Sequence, residues 1–215
     1  MTDVQKHMKF NEVYWDSLVE GHYQSKFYGV NSFLEGEVRL DHLELETVGD
    51  VRGKSLLHLQ CHFGLSTLSF SRMGAAVTGA DFSEKAIITA RGLADEAGIK
   101  ARFIKCNVYE LSKCIFDKFD IVFTSYGVLC WLSDLEKWAV EISNMLKNGG
   151  TFHMVEFHPL MHTLVDNERG EVLIGAPYFD EGVQVYEPDG IGSYATSNLG
   201  GDKQTFEWGH SLGEV

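Results

Sequence analysis

The sequence predicts an α/β fold: a doubly wound, mostly parallel sheet with an N-terminal helical lid. From Ser55 onward, short apolar runs alternate with longer helix-like stretches, the pattern of parallel strands joined by crossover helices. The runs are almost continuously apolar, as a sheet covered on both faces requires. A chain of 215 residues with 44% hydrophobic composition can bury the core of one domain. We therefore expect residues 51–158 to form a single α/β core.

Strands and helices can be placed in order along this core. The apolar runs predict strands at 55–60, 75–80, 101–106, 119–125 and 150–157. Helical spacing predicts helices at 65–73, 83–97 and 134–147. Ser83 is placed to cap the second helix, Gly98 follows its end, and Asn148-Gly149-Gly150 is expected to close the third.

The flanking segments differ from the core. Residues 1–50 are rich in aromatics and predict helices that fold over the ligand edge of the sheet as a lid, with Tyr14, Trp15 and Tyr28 at a substrate pocket. Residues 159–215 are broken by Gly, Pro and Asp, and QTFEWGHSL predicts one more strand on the substrate side. A helix is expected to begin at the final LGEV.

Charge and composition limit the function classes. A net charge of −13 disfavours nucleic acid as a partner, because such proteins bind phosphates through clusters of Lys and Arg. There is no run of about 20 apolar residues and no secretory signal, so we expect a cytoplasmic protein without a membrane partner. Cys61, Cys106, Cys114 and Cys130 form no CxxC pair. A small-molecule substrate is the best expectation.

The turn after the first predicted strand is the expected ligand site. In an open parallel sheet, ligands bind outside the carboxyl ends of the strands. Here the turn reads His58-Leu59-Gln60-Cys61-His62-Phe63-Gly64 and leads into a helix, whose N-terminus can attract an anionic group.

The residues around this turn resemble a known family. LLHLQCHFGLSTLSFSRMGAAVTGADFSEKAI is similar to a subfamily of class I S-adenosylmethionine-dependent methyltransferases that carries HLQCHFG in place of a glycine-rich loop. The resemblance extends to VGDVRGKSLLHLQ, VEFHP and TFEWGHSLGE, and so spans most of the chain. It implies a Rossmann-like methyltransferase fold, S-adenosyl-L-methionine as cofactor and transfer of its methyl group by in-line displacement. Because similar proteins continue past LGEV with a helix and a last strand, the resemblance also implies a truncated chain that lacks its C-terminal strands. Pairing with a second copy, as a homodimer, would cover the resulting sheet edge.

Against the usual family pattern of acidic-x-Gly-x-Gly-x-Gly, His58 replaces the acid, Gln60 and His62 replace two glycines, and Gly64 remains. Because Gln60 and His62 carry Cβ atoms, we expect the loop to follow a less contracted path, with side chains that add hydrogen bonds to the donor. The alternative is that His58 and His62 only pack and cap.

Further donor contacts are expected at the ends of later strands. Asp81 can accept both ribose hydroxyls, with a helix N-cap as the alternative, and Phe82 would then lie against the adenine or pack in the core. Asn107 and the N–H of Val108 are placed near the adenine, although Asn107 is also an ordinary turn residue. Tyr126 ends the fourth strand, where it could face the sulfonium or the substrate, or simply pack.

Glu156 and His158 are the candidate catalytic bases, needed only if the acceptor must lose a proton. The alternative is a strand-end network. No metal is expected, because Pro159 interrupts the helical spacing of His158 and His162, and His153 and Glu156 would point to opposite faces of a strand.

Two other functions stay open from the residues alone. An acid at the end of a second strand also occurs in NAD-dependent oxidoreductases, although the GxGxxG turn is absent here. The replaced turn residues also fit a catalytically silent binding protein. The acceptor and its reacting atom are left open.

Overall fold

The computed structural model describes residues 2–166, 170–179, 182–187, 193–196 and 203–215. Its centre is a sheet of five parallel strands in the order β3-β2-β1-β4-β5, which confirms the predicted fold class. These strands are β1 (Ser55–Leu59), β2 (Ala76–Asp81), β3 (Arg102–Lys105), β4 (Phe119–Ser125) and β5 (Leu146–Val155).

Helices cover both faces and one edge of the sheet. They are α1 (Asp3–Gln24), α2 (Val30–Leu34), α3 (His42–Val48), α4 (Leu65–Arg72), α5 (Glu84–Glu96), α6 (Leu111–Cys114) and α7 (Leu135–Met145). Short 3₁₀ helices span Val108–Glu110, Leu129–Trp131 and Pro159–Thr163. The chain also forms two small antiparallel hairpins, β6 (Leu164–Asp166) with β7 (Val172–Ile174) and β8 (Val183–Tyr186) with β9 (Thr205–Trp208).

The central strands are apolar on both faces because both faces are covered. In β1, Leu57 and Leu59 belong to the apolar cluster that includes Trp138 of α7, whereas Leu56 belongs to the cluster that includes Phe70 of α4. A sheet of this kind aligns the carboxyl ends of its strands at one edge, and β1 and β4 are adjacent there. The turns that follow these strands therefore meet at one site.

Local capping explains most of the element boundaries. The Ser83 hydroxyl accepts the Ala86 N–H, and Gly98 follows α5 with a φ of 64°, as expected. The expected end of the last helix at Asn148-Gly149-Gly150 is wrong. Helix α7 ends at Met145, because Leu146 already pairs with Phe119 and begins β5.

The expected helix at LGEV is also wrong. Residues 212–214 form a turn in which the Glu214 N–H donates to the Ser211 carbonyl, and the Glu214 carboxylate accepts from the Ser211 N–H and hydroxyl. These local side-chain contacts compete with helical backbone bonds. Among the described residues, no helix combines the length and the apolar character needed to cross a bilayer.

Helix α1 is attached to both the sheet and the β8–β9 hairpin. The Asn11 amide pairs with both backbone groups of Phe206, donating to its carbonyl at 2.6 Å and accepting from its N–H at 2.9 Å. At the sheet, Glu12 forms an ion pair with Lys105 of β3, and at the N-terminus of α5, Asp16 accepts from the Ser83 hydroxyl and from the Lys85 N–H. The helix therefore lies across the ligand edge, between α5 and β9.

Asn11→Ala should loosen the β8–β9 hairpin, because it leaves two buried backbone groups of Phe206 without partners. We expect a loss of about 1–3 kcal/mol in the free energy of unfolding. Urea unfolding and amide exchange at Phe206 measure the effect. The control is Asn144→Ala, an exposed position in α7. Equal stability of the two variants would contradict a stabilising role for the two hydrogen bonds between Asn11 and Phe206.

Candidate functional site

The turn after β1 has left-handed backbone at the three glycine positions of the family pattern, although only Gly64 is a glycine. Gln60 has a φ of 51°, His62 a φ of 50° and Gly64 a φ of 76°. Alternate residues thus adopt the left-handed conformation at the positions where the family pattern has Gly. The expectation of a less contracted path was wrong, because residues with a Cβ can enter this region at a cost of about 1–2 kcal/mol each. Among described non-glycine residues, only Tyr126 shares this conformation.

Hydrogen bonds to neighbouring strands hold the turn in place. The His62 N–H donates to the Asp81 carboxylate at 2.8 Å, and the Gln60 side-chain amide donates to the Val128 carbonyl at 3.2 Å. The first bond reaches the end of β2 and the second reaches the loop after β4. Backbone strain of this kind persists only where the surroundings enforce it, and it concentrates at functional sites.

Asp81 is buried at the end of β2 and still has capacity to bind a ligand. Its two carboxylate oxygens accept from the His62 N–H and from the Ser83 N–H. A carboxylate has about four acceptor positions, so roughly two remain for hydroxyl groups. Burial raises the pKa of Asp81 to about 6. The group is therefore predominantly ionised at pH 7 and becomes neutral as the pH falls below that value.

The Gln60 side chain presents a buried oxygen that has no partner. Because its amide nitrogen must face the Val128 carbonyl, Oε1 points the other way, and it accepts no hydrogen bond from the described residues. A buried acceptor without a partner is costly unless a ligand supplies a donor. An ammonium group would satisfy it.

His58 lies below the turn. Its Nδ1 is 2.8 Å from the Thr67 hydroxyl of α4, and its ring packs against Phe123 of β4. Burial lowers the pKa of His58 to about 3, so the imidazole is neutral. These contacts favour the packing interpretation over direct donor binding.

A groove of about 400 Å³ opens beside the ends of β2 and β3, and its lining includes Phe82 and Asn107. The opposite wall is α1, through Met8 and Glu12. The Asn107 Oδ1 accepts the Tyr109 N–H, so this residue also caps the 3₁₀ turn that contains the buried Val108. The groove is where the adenine expected from the sequence would lie.

Aromatic and imidazole rings from α1 cover the turn. Trp15 contacts the His62 ring edge-on at 5.4 Å, and His22 forms a ring-to-ring hydrogen bond with His62 at 3.0 Å. Tyr14 stacks on Trp131 at 5.8 Å, and Tyr28 lies 5.8 Å from His62. Burial lowers the pKa of His22 to about 4 and of His62 to about 3, so this contact joins two neutral imidazoles.

Three residues expected near the acceptor have other partners. The Tyr126 hydroxyl donates to Asp41, at the start of α3. The Glu156 carboxylate accepts N–H groups from Gly127, Val128, Leu129 and Phe157, and so holds the loop after β4. His158 caps the following 3₁₀ helix by accepting the Leu160 N–H. These contacts favour the strand-end network over a catalytic base.

A second cavity, of about 50 Å³, lies beyond this loop and contains Glu207, which the sequence interpretation missed. Its lining includes Cys130, His162, Glu207 and His210. Glu207 lies within the predicted strand QTFEWGHSL, where it is the one acidic residue. An acid in an otherwise apolar strand is a usable signal for a buried carboxylate.

Comparisons with known proteins find a matching family and similar relatives. The family described as "Methyltransferase domain" matches residues 57–154. The chain is 26% identical to the "Ubiquinone biosynthesis O-methyltransferase" of Shewanella sp. (strain ANA-3), over 82% of this chain and 68% of that protein. It is 28% identical to the protein of the same name from Photorhabdus laumondii subsp. laumondii, with the same coverage of both chains.

Solved structures share the fold. A putative S-adenosylmethionine-dependent methyltransferase from Listeria monocytogenes matches with a TM-score of 0.60 and 18% identity, over 86% of this chain and 77% of that one. The structure titled "DhpI-SAH complex structure" matches with a TM-score of 0.56 and 17% identity, over 78% of each chain.

Gly64→Ala should destabilise the turn, because a Cβ at this position would lie 2.5 Å from the buried Phe103 ring and the φ is positive. We expect a loss of at least about 2 kcal/mol in the free energy of unfolding. The matched control is Gly92→Ala in α5, where no atom lies within 4 Å of the added Cβ. That variant should gain about 0.5–1 kcal/mol. Denaturant unfolding of both variants measures these changes. A Gly64→Ala variant as stable as wild type would contradict the prediction.

Proposed function

We propose that the chain carries a class I S-adenosylmethionine-dependent methyltransferase domain and methylates a hydroxyl group on a small molecule. Its similarity to the methyltransferase family and to the relatives above supports this proposal. The observation that carries the proposal is the left-handed turn at Gln60 and His62, hydrogen bonded to Asp81. It provides the backbone shape of a donor-binding loop at the edge of the sheet where such loops bind ligands.

The turn after β1 and the ends of β2 and β3 carry groups that fit the donor. Asp81 has acceptor positions for the two ribose hydroxyls, and the partnerless Gln60 oxygen can accept from the ammonium of the methionine part. Phe82 and Asn107 line the groove that would take the adenine. His62, Gly64 and Val108 contribute backbone around these groups.

The donor supplies an activated methyl group on a sulfonium, so the protein's own work is to position the acceptor and exclude water. The Trp15 ring of α1 lies against His62 of the turn, and Tyr28 also lies beside His62. Tyr14 stacks on Trp131. Glu156 acts by fixing the loop at 127–129 through three of its four N–H contacts, the fourth being to Phe157. We assign it and His158 positioning roles.

A small acceptor is supported by charge and by relatives. The net charge of −13 disfavours polyanionic substrates. The similar proteins from Shewanella and Photorhabdus are named O-methyltransferases of ubiquinone biosynthesis, which favours oxygen as the methylated atom. No specific observation favours the oxidoreductase or the silent binding protein.

Asp81→Asn should weaken donor binding, because it removes the charge that strengthens the ribose contacts. We expect the Kd for S-adenosylmethionine and for S-adenosylhomocysteine to rise about 10- to 100-fold, by isothermal titration calorimetry. The control is Asp95→Asn, on the exposed face of α5. If wild type binds neither ligand, or Asp81→Asn binds as wild type does, the proposed donor site is wrong.

The same titrations should depend on pH. Asp81 accepts best as the carboxylate, and its pKa is raised to about 6, so wild-type affinity should fall as the pH is lowered from 7.5 to 5. His22 and His62 stay neutral over this range. The Asp81→Asn variant should lose most of the pH dependence, and an equal dependence in both proteins would point to another group.

Gln60→Leu tests the ammonium contact separately from the ribose contact. The variant removes the free oxygen but keeps the side-chain size, and we expect about 10-fold weaker binding of S-adenosylmethionine. Binding of 5′-methylthioadenosine, which lacks the amino acid part, should not change. Asp81→Asn should weaken both ligands. Equal losses for both ligands in Gln60→Leu would show that Gln60 acts only on the shape of the turn.

A further inference from the structure

The cavity on the far side of the loop at 127–129 has a polar floor and aromatic walls. Gly127, Leu129 and Cys130 border it, and the Val128 carbonyl between them accepts from Gln60 in the donor turn. The loop that borders the cavity is therefore hydrogen bonded directly to the donor turn. Its volume of about 50 Å³ suits a few water molecules or the hydroxyl-bearing end of a substrate.

Glu207 is a half-buried carboxylate in the lining of this cavity. In β9 it alternates with Phe206 and Trp208, whose rings face His7 of α1. Glu207 therefore points to the other face, towards Cys130. No hydrogen bond or ion pair to its carboxylate is found among the described residues, in contrast to the fully engaged Glu156.

The other groups in the cavity favour a neutral acceptor. No Lys or Arg lines it among the described residues. Burial raises the pKa of the Cys130 thiol, and the carboxylates of Glu207 and Glu156 raise it further. A second anion would therefore be repelled. The His210 Nε2 donates to the Leu132 carbonyl, so its Nδ1 is left as an acceptor. The Tyr178 hydroxyl accepts from the Leu212 N–H, which leaves its proton to donate.

We propose that Glu207 is the catalytic base of this enzyme and that the acceptor is a neutral phenol or catechol whose hydroxyl binds its carboxylate. This inference rests on the proposed O-methyl transfer. Aromatic walls from Phe157 and Tyr186 suit a flat ring.

The proposed methyl transfer needs only the phenol, S-adenosylmethionine and the Glu207 carboxylate. The phenolic O–H bond breaks and its proton passes to the Glu207 carboxylate. The oxygen then forms a bond to the methyl carbon as the carbon–sulfur bond of the sulfonium breaks, and its electron pair stays on sulfur as the neutral thioether. The Glu207 carboxylic acid returns its proton to solvent.

The pKa values of Glu207 and of a phenol suit proton transfer from the phenol to the carboxylate. Burial raises the pKa of Glu207 to about 7. A base with that pKa is still ionised near neutral pH and can take a proton from a phenol, whose pKa is about 10. The rate should rise with pH as Glu207 ionises. The titratable groups that face it across the cavity are Cys130, Glu156, His162, Tyr178, Tyr186 and His210.

The test uses catechol as acceptor, with S-adenosylmethionine at saturation and methylated product measured by mass spectrometry from pH 5.5 to 9. Wild-type kcat should rise through an apparent pKa near 7. Glu207→Gln should lower kcat about 100-fold or more and abolish the rise of kcat with pH, while the Kd for S-adenosylmethionine stays unchanged. Glu207→Asp should retain part of the activity. The control is Glu187→Gln, exposed beside β8, which should match wild type.

The outcomes separate the two proposals. Wild type that binds the donor but gives no product from catechol overturns the phenolic acceptor. Glu207→Gln that keeps the wild-type kcat and profile overturns Glu207 as base, while methyl transfer stands. Wild type that binds no donor overturns the proposed function and this inference with it. Circular dichroism of each variant confirms folding.

Discussion

The hydrogen bond from the His62 N–H to the Asp81 carboxylate is the contact on which the site depends. It joins the turn after β1 to the end of β2, and the same carboxylate accepts the Ser83 N–H at the start of α5. One buried side chain therefore aligns the turn, the strand and the helix. Because a buried carboxylate is costly without donors, these N–H groups also explain how Asp81 stays ionised near neutral pH despite its raised pKa.

Strain in the turn is offset by the helix that covers it. Left-handed Gln60 and His62 each cost about 1–2 kcal/mol relative to glycine. The His62 side chain offsets the cost of its left-handed backbone through contacts with Trp15 and His22 of α1, which glycine could not make. A loop with side chains in place of glycines therefore fits a fold in which an N-terminal helix lies over it.

Two glutamates near the loop after β4 show how environment decides the role of a residue type. Glu156 receives four backbone N–H groups, and these contacts stabilise the loop. Glu207 faces a cavity, and burial without compensating donors raises its pKa to about 7. The first carboxylate is suited to holding structure and the second to moving a proton.

The sequence by itself determined the strand and helix pattern, the covered parallel sheet, the Ser83 cap and the place of Asp81 at the end of β2, because periodicity and capping are local properties of the chain. It misjudged the end of α7, which a pairing with Phe119 decides. Only the tertiary structure decided that Gln60 and His62 adopt glycine-like backbone angles, that Glu156 binds the loop at 127–129 and that Glu207 faces a cavity. Each of these depends on groups that are distant in sequence and meet only when the strands are side by side.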